Sequence, residues 1–192
     1  IHQEDCCQAL GARPQQKYQS EGGPGIPEIM ALLLSSKAPD IDRERFMRAQ
    51  AFNFVIGGTD AHAKSYAILY EPGGAFRMMP LYDLISLLPF KGRRSELTLA
   101  MTIGGRRLID EINPDHWVRA ARNCGFPDEH AVAFVREMVD KLPDLAAAIR
   151  NRSAADGLPK PFLERLVGGI ADNAKRIERR FGARRSWGSR SR

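Results

Sequence analysis

Apolar residues recur at helical spacing over most of this chain, and one stretch in its first half breaks that rhythm. From Leu158 to Phe181 the series Leu163, Leu166, Val167, Ile170, Ala174, Ile177 and Phe181 advances in steps of three and four, one face of a long helix. Asp115 to Cys124 and Asp128 to Leu142 carry the same period. Near the start, Gln3 to Leu10 has acids early, apolar Cys6, Cys7, Ala9 and Leu10, and Gly11 at the stop position, which predicts a short first helix. The turn residues Glu21 to Pro27 precede the apolar run Ile29 to Leu34, a second helix with Pro27 in its first turn and its end near Ser36. A third helix, capped by Asp40 or Asp42, runs to about Ile56. Its charged first half (Arg43, Glu44, Arg45, Arg48) is expected in water and Phe52, Phe54, Val55 and Ile56 in the core.

Gly57, Gly58 and Thr59 end that helix, and the pattern then becomes β-branched and aromatic. Tyr66 to Tyr70 and Ala75 to Met79 flank the turn Glu71 to Gly74, a β-hairpin. Leu97 to Ile103 is a further strand candidate with a helical alternative. No repeat of fixed period is present. The expected fold class is mostly α, with one small β element inserted about a third of the way along.

Composition narrows the classes. In 192 residues, 43% hydrophobic and 27% charged, no apolar run approaches the roughly 18 residues of a membrane span, so no membrane role is expected. Cys6, Cys7 and Cys124 form no CxxC pair, which argues against a disulfide scaffold or zinc finger and for small core residues in a reducing, cytoplasmic setting. The net charge of +6 is concentrated at the end: Lys175 to Arg192 holds eight Lys or Arg and one acid. The body is therefore nearly neutral. Residues 1–182 are expected to form the folded unit and 183–192 a basic flexible tail. The chain opens at Ile1 without an initiator Met or a signal-peptide pattern, and is expected to be a piece of something longer, truncated on its amino-terminal side.

The chemistry-bearing residues gather on both sides of the hairpin, in Gly58-Thr59-Asp60-Ala61-His62-Ala63-Lys64-Ser65 and Pro80-Leu81-Tyr82-Asp83-Leu84-Ile85-Ser86. A hairpin returns the chain to its origin, so Asp60 and Asp83 are expected at one mouth. Two carboxylates there repel unless a cation lies between them, and Mg²⁺ with a nucleotide phosphate is the usual oxygen-ligated choice. The bland alternatives are that Asp60 caps loop amides and that Asp83 is the N-cap of a helix from Leu84 to Leu88. His62 alone says little, and His116 and His130 lack ligand-like neighbours. Lys64 could be a solvated charge or a phosphate contact. The run Glu21 to Gly25 lacks the Walker spacing and is taken as a helix-entry turn. Arg119 with Arg122, and Arg176 with Arg180, are expected to form exposed basic faces, the alternative being docking of DNA or of a DNA-bound partner.

The order of these groups resembles that of protein kinases, in which a catalytic Asp is followed at the fifth position by a metal-binding Asn, then a hairpin, then a metal-holding Asp. Here the order is Asp60, Ser65, hairpin, Asp83. The strings HQEDCCQALG, KYQSEGGPGI, FNFVIGGTDAHAKSYAILY, MPLYDLIS and LAMTIGG resemble, over roughly Ile1 to Phe181, the carboxy-terminal lobe of HipA-type serine/threonine kinases, the toxin half of bacterial toxin–antitoxin pairs. That resemblance implies a helical kinase large lobe and phosphoryl transfer from ATP with Mg²⁺ to a protein Ser or Thr hydroxyl. It assigns Asp60 as catalytic base, Asp83 as metal holder, and Asp60, His62, Tyr82 and Asp83 to ATP. Ser65 stands where the family usually has Asn, a shorter arm toward the metal. The implied partners are a HipB-like helix-turn-helix antitoxin, DNA through it, and an aminoacyl-tRNA synthetase as substrate in some members. The phosphate-contacting loop and Lys of the family belong to the amino-terminal lobe, so this piece alone is expected to bind ATP poorly. The competing class is a degenerate, non-catalytic module that docks an antitoxin, DNA or another acidic partner.

Overall fold

The computed structural model describes residues 2–90 and 96–182; the basic tail expected at 183–192 lies outside them. The first departure from the helical expectation is at the start. His2–Asp5 is a strand (β1), and only Cys6–Ala9 is helical (α1). Asp5 caps the short helix: its carboxylate accepts from Gln8 N, and Gln8 returns a bond to Asp5 N. The residues before this cap find a better use for their backbone groups along β2 (Ala67–Tyr70). They pair antiparallel from His2 opposite Tyr70 to Asp5 opposite Ala67. The pairing is non-local, across more than sixty residues, and no local pattern announces it.

β3 (Phe76–Met78) completes the expected hairpin on the other edge of β2, giving the order β1-β2-β3. The candidate at Leu97 to Ile103 is a strand and not a helix: β4 (Thr98–Ile103) pairs with a β5 (Arg106–Leu108) that the sequence did not reveal.

The helices build the core. α2 (Ile26–Leu32) and a 3₁₀ turn, Leu33–Ser35, lead to α3 (Pro39–Ile56). Neither Asp40 nor Asp42 caps α3; Ala38 stands at that position without a side-chain bond. The first half is solvated only in part: Glu44 is exposed and Arg45 and Arg48 are half-buried, but Asp42 and Arg43 are not in water. Asp42 is wholly buried, accepting from Arg77 Nε at 3.0 Å and from Met78 N at 3.1 Å, so it fastens α3 to β3. Burial raises the Asp42 pKa, but the Arg77 and Met78 donors outweigh it and hold the carboxyl below its ordinary range. Arg43, also buried, donates to the carbonyls of Cys124 and Gly125 at the end of α4 (Pro114–Asn123).

α5 begins at Asp128, as expected, but continues through Pro143 to Ala155 rather than ending at Leu142. Beyond the proline it is largely exposed, packed along α6 (Lys160–Gly182). Trp117 of α4 and Phe181 of α6 close on Phe54 of α3, with ring centroids 5.7 and 6.3 Å away. The Arg residues expected on open basic faces are mostly committed within the chain. Arg119 donates to Gly104 O, Arg122 pairs with Asp128, and Arg180 binds Asp110 and the Ile109 carbonyl. Cys6 and Cys7 are buried, Cys124 is partly so, and all three are free thiols.

Candidate active site

The carboxy-terminal end of α3 is the platform. Gly57, at φ 66°, adopts the left-handed conformation that turns the chain out of the helix, and Asn173 of α6 donates to the freed carbonyls of Phe54 and Val55 at 3.0 and 2.7 Å. Below the following loop, the buried Tyr66 hydroxyl accepts from Gln50 and Asn53 of α3, at 2.8 and 3.1 Å. The loop from Asp60 to Ser65 is thus seated on the core at both ends.

The returning segment is pinned to the same platform. Ser86 Oγ donates to Ile56 O at 2.5 Å, and Leu87 N to Gly57 O at 3.1 Å. Leu88 fills a notch between two glycines: a Cβ on Gly57 or on Gly169 of α6 would lie 2.7 Å from the Leu88 side chain. Tyr82 Oη donates to Lys64 O at 2.6 Å, stitching this segment to the first loop. Between these anchors Asp83 has φ 55°, the one non-glycine residue in the left-handed region among those described. Such a backbone costs about 1–3 kcal/mol and persists where the surroundings over-determine it. No helix follows Asp83, so the N-cap alternative does not hold.

The two segments meet at Ser65. Its buried Oγ lies 3.4 Å from Asp83 Oδ2, 3.4 Å from the Asp60 carbonyl oxygen and 3.2 Å from His62 Nδ1. The Asp60 and Asp83 side chains are both exposed, so the cluster has a closed floor and an open, acidic rim. His62 belongs to the floor. It is 6% exposed; burial and then the Lys17 charge lower its pKa, against the opposing pull of Asp60 and Asp83. The imidazole is therefore neutral near pH 7 and able to share a hydrogen bond with Ser65. Burial pushes the Tyr82 phenol up to about 12, with Asp5, Cys6 and Asp83 adding to it.

All five residues singled out from the sequence, Asp60, His62, Ser65, Tyr82 and Asp83, therefore lie in one neighbourhood. Sequence reasoning missed Tyr18, whose hydroxyl donates to Asp60 Oδ1 at 2.6 Å and whose ring stands edge-on to His62 at 5.1 Å. The hydrogen bond to the carboxylate raises the Tyr18 pKa. The only available signal was its position beside the glycine-rich run Glu21 to Gly25. Lys64 offers its backbone carbonyl to Tyr82. His116 shares the cap of α4 with Asn113, and His130 packs between Phe126 and Phe134; neither approaches the site.

Among the described residues no three His, Cys, Asp or Glu side chains converge in the manner of an all-protein metal cage. Asp83 with the Ser65 hydroxyl does fit a hard divalent ion of the Mg²⁺ type, which takes one or two carboxylate oxygens and completes its shell with water and phosphate.

The sequence profile of the HipA-like C-terminal domain matches residues 1–146. The chain belongs to this family. It is 39% identical over 178 residues to a Sinorhizobium fredii protein named "Putative kinase Y4mE", covering 92% of this chain and 42% of that protein. It is 26% identical over 125 residues to the serine/threonine-protein kinase toxin HipA of Shewanella oneidensis, covering 59% of this chain and 27% of that one. The fold is that of HipA in a solved complex of Shewanella oneidensis HipA, HipB and operator DNA: the TM-score is 0.80 at 21% identity, over 92% of this chain and 43% of the HipA-like chain. This HipA-like chain thus spans less than half the length of these relatives. It is the mostly helical kinase-type lobe that the sequence suggested, with small sheets. Among the described residues no helix is long and apolar enough to cross a membrane.

Proposed function

We propose that this chain is the large lobe of a HipA-like protein kinase, transferring the γ-phosphoryl group of ATP to a protein Ser or Thr hydroxyl with Mg²⁺. The observation that carries this reading is the Ser65 hydroxyl, within 3.4 Å of both the Asp60 backbone and the Asp83 carboxylate. It ties the Asp60 loop to the Asp83 segment, and both acids are exposed beside it. The relatives named as kinases support the same reaction class.

Asp60 accepts the proton of the incoming hydroxyl and orients its oxygen toward the γ-phosphorus. A new O–P bond forms as the bond from that phosphorus to the bridging oxygen of ADP breaks, and the proton passes to Asp60. Asp83 and Ser65 would hold Mg²⁺, which supplies charge neutralisation on the phosphate oxygens. His62 stays neutral and keeps the Ser65 hydroxyl turned into the site. Tyr82 walls the nucleotide side and fixes the Asp83 loop to the first one. ATP binding also draws on the amino-terminal lobe of the full-length protein. The solved HipA complex holds HipB and operator DNA; by extension, a helix-turn-helix antitoxin, and operator DNA through it, are the partners proposed here. An aminoacyl-tRNA synthetase is the proposed class of protein substrate, and the cytoplasm the proposed setting.

The test is phosphate incorporation by the full-length protein from radiolabelled ATP, with and without Mg²⁺, alongside Asp60→Asn and Asp83→Asn. Mg²⁺-dependent incorporation that both substitutions abolish supports the reading. Equal incorporation by all three proteins, or nucleotide-independent binding of an antitoxin with no transfer in any, overturns it in favour of a docking module.

A further inference from the structure

An exposed carboxylate on a loop rotates freely unless something fixes it, and a base that must meet one hydroxyl in line with a phosphorus gains from being fixed. Asp60 Oδ1 accepts a short, charge-assisted bond from the Tyr18 hydroxyl at 2.6 Å, while Oδ2 has no protein partner among the described residues. One oxygen is held, on a residue that is itself exposed.

Tyr18 is itself held from several directions. Its ring stands at 80° to the buried His62 imidazole, and Lys17 Nζ lies 4.8 Å from its centroid on the other contact. Its carbonyl accepts from Glu21 N and Gly23 N, both at 3.0 Å. The next residue, Gln19, accepts from Thr102 N of β4 at 2.7 Å, and Lys17 O accepts from Ala63 N at 3.4 Å. The glycines make this loop possible. Gly22 has φ 84°, and a Cβ on Gly23 would stand 2.1 Å from the Gln16 carbonyl oxygen. The run Glu21 to Gly25 is therefore more than a helix-entry turn: it folds the preceding residues back over the catalytic loop.

We propose that Tyr18 is a positioning residue for Asp60, locking one carboxylate oxygen so that the other is presented to the substrate hydroxyl, with the glycine-rich run as its mount. This rests on the phosphoryl-transfer reading of Asp60. The phenol moves no proton to the phosphate and touches no substrate; it acts by removing rotational freedom from the base.

The test is Tyr18→Phe in the full-length protein, which deletes one oxygen and keeps the ring packed on His62. Expected are a kcat lower by roughly tenfold, an unchanged KM for ATP and an unchanged Tm. A second readout does not depend on turnover. In NMR of protein carrying isotope-labelled tyrosine, the phenol signal identified as Tyr18 by its loss in Tyr18→Phe titrates above the ordinary range and moves down in Asp60→Asn, while the other raised phenols stay in place. Wild-type kcat in Tyr18→Phe, a faster enzyme, an equal loss in KM and Tm, or a tyrosine signal indifferent to Asp60→Asn would each overturn the positioning role while leaving the kinase reading in place. Absence of phosphoryl transfer in the wild-type protein would instead remove the kinase reading, and this proposal with it.

Discussion

Ser65 and Asp83, separated by 18 residues and a β-hairpin, meet at 3.4 Å between Oγ and Oδ2. The contact is a second tie between two loops that the Tyr82 hydroxyl also joins at the Lys64 carbonyl, both of them seated on α3. Much of what is expected of the site follows from it.

Ser65→Ala removes the hydroxyl without adding bulk to a buried position. Catalysis should fall by roughly 10–100-fold, the range for a lost metal-supporting contact, and the Mg²⁺ concentration giving half-maximal rate should rise. A titration of initial rate against Mg²⁺ reads both; an unchanged half-maximal concentration would take Ser65 out of the metal site.

Asp60→Asn and Asp83→Asn should be separable by ligand binding. Loss of a general base costs on the order of 10²–10⁴ in rate, and Asp60→Asn should do so with nucleotide affinity retained. Asp83→Asn should also lose Mg²⁺-dependent nucleotide affinity, measured by calorimetry with an unreactive ATP analogue. Identical binding losses in both would contradict the division of roles.

Gly169→Ala gives an unusually sharp test of the platform. In an exposed helix, replacing Gly by Ala stabilises by about 1 kcal/mol. Here the new methyl would fall 2.7 Å from Leu88 Cβ, so the expected result is a lower Tm with lower activity, as overpacking typically costs about 1–3 kcal/mol. Leu88→Gly in the same chain, which removes that Cβ, should restore part of the Tm but not the activity, because the loop bearing Asp83 loses its wedge. A stabilised single variant would mean that the notch is not rigid.

Two histidines make stability fall with acid. His62 and His116 both have pKa values lowered from 6.5, in each case first by burial, with Lys17 adding at His62 and Arg119 and Arg106 at His116. The unfolded chain therefore binds more protons than the folded one once pH drops below about 6.5, and stability is full above that value and lost progressively below it. Denaturant midpoints should decline between about pH 7 and pH 5, less steeply in His62→Gln. An equal slope in that variant would show that His62 is not the group responsible.

The sequence carried the helices because their signals are local. The apolar face of α6 and the start of α5 at Asp128 need only neighbours within a turn or two. It also carried the neighbourhood of the predicted residues, since the hairpin brings the loop of Asp60 and the segment of Asp83 together at Ser65. What it hid depends on distant partners. His2–Asp5 is a strand only because β2 offers an edge more than sixty residues later, and Asp42 is buried only because Arg77 reaches it. Tyr18 was invisible for the same reason: its partner lies 42 residues away, across a loop whose shape is set by Gly23. The run of α5 past Pro143 was missed because a proline in a helix pattern is ordinarily read as its end, and here packing against α6 carries it on.

Asn173 has a practical meaning for anyone who trims this polypeptide. The family profile stops at residue 146, yet the amide that satisfies the Phe54 and Val55 carbonyls, and the glycine that admits Leu88, both come from later residues. A shortened protein ending where the recognisable pattern ends would leave bare acceptors and an empty slot beneath the two acids, and its inactivity would report on missing scaffolding instead of missing chemistry.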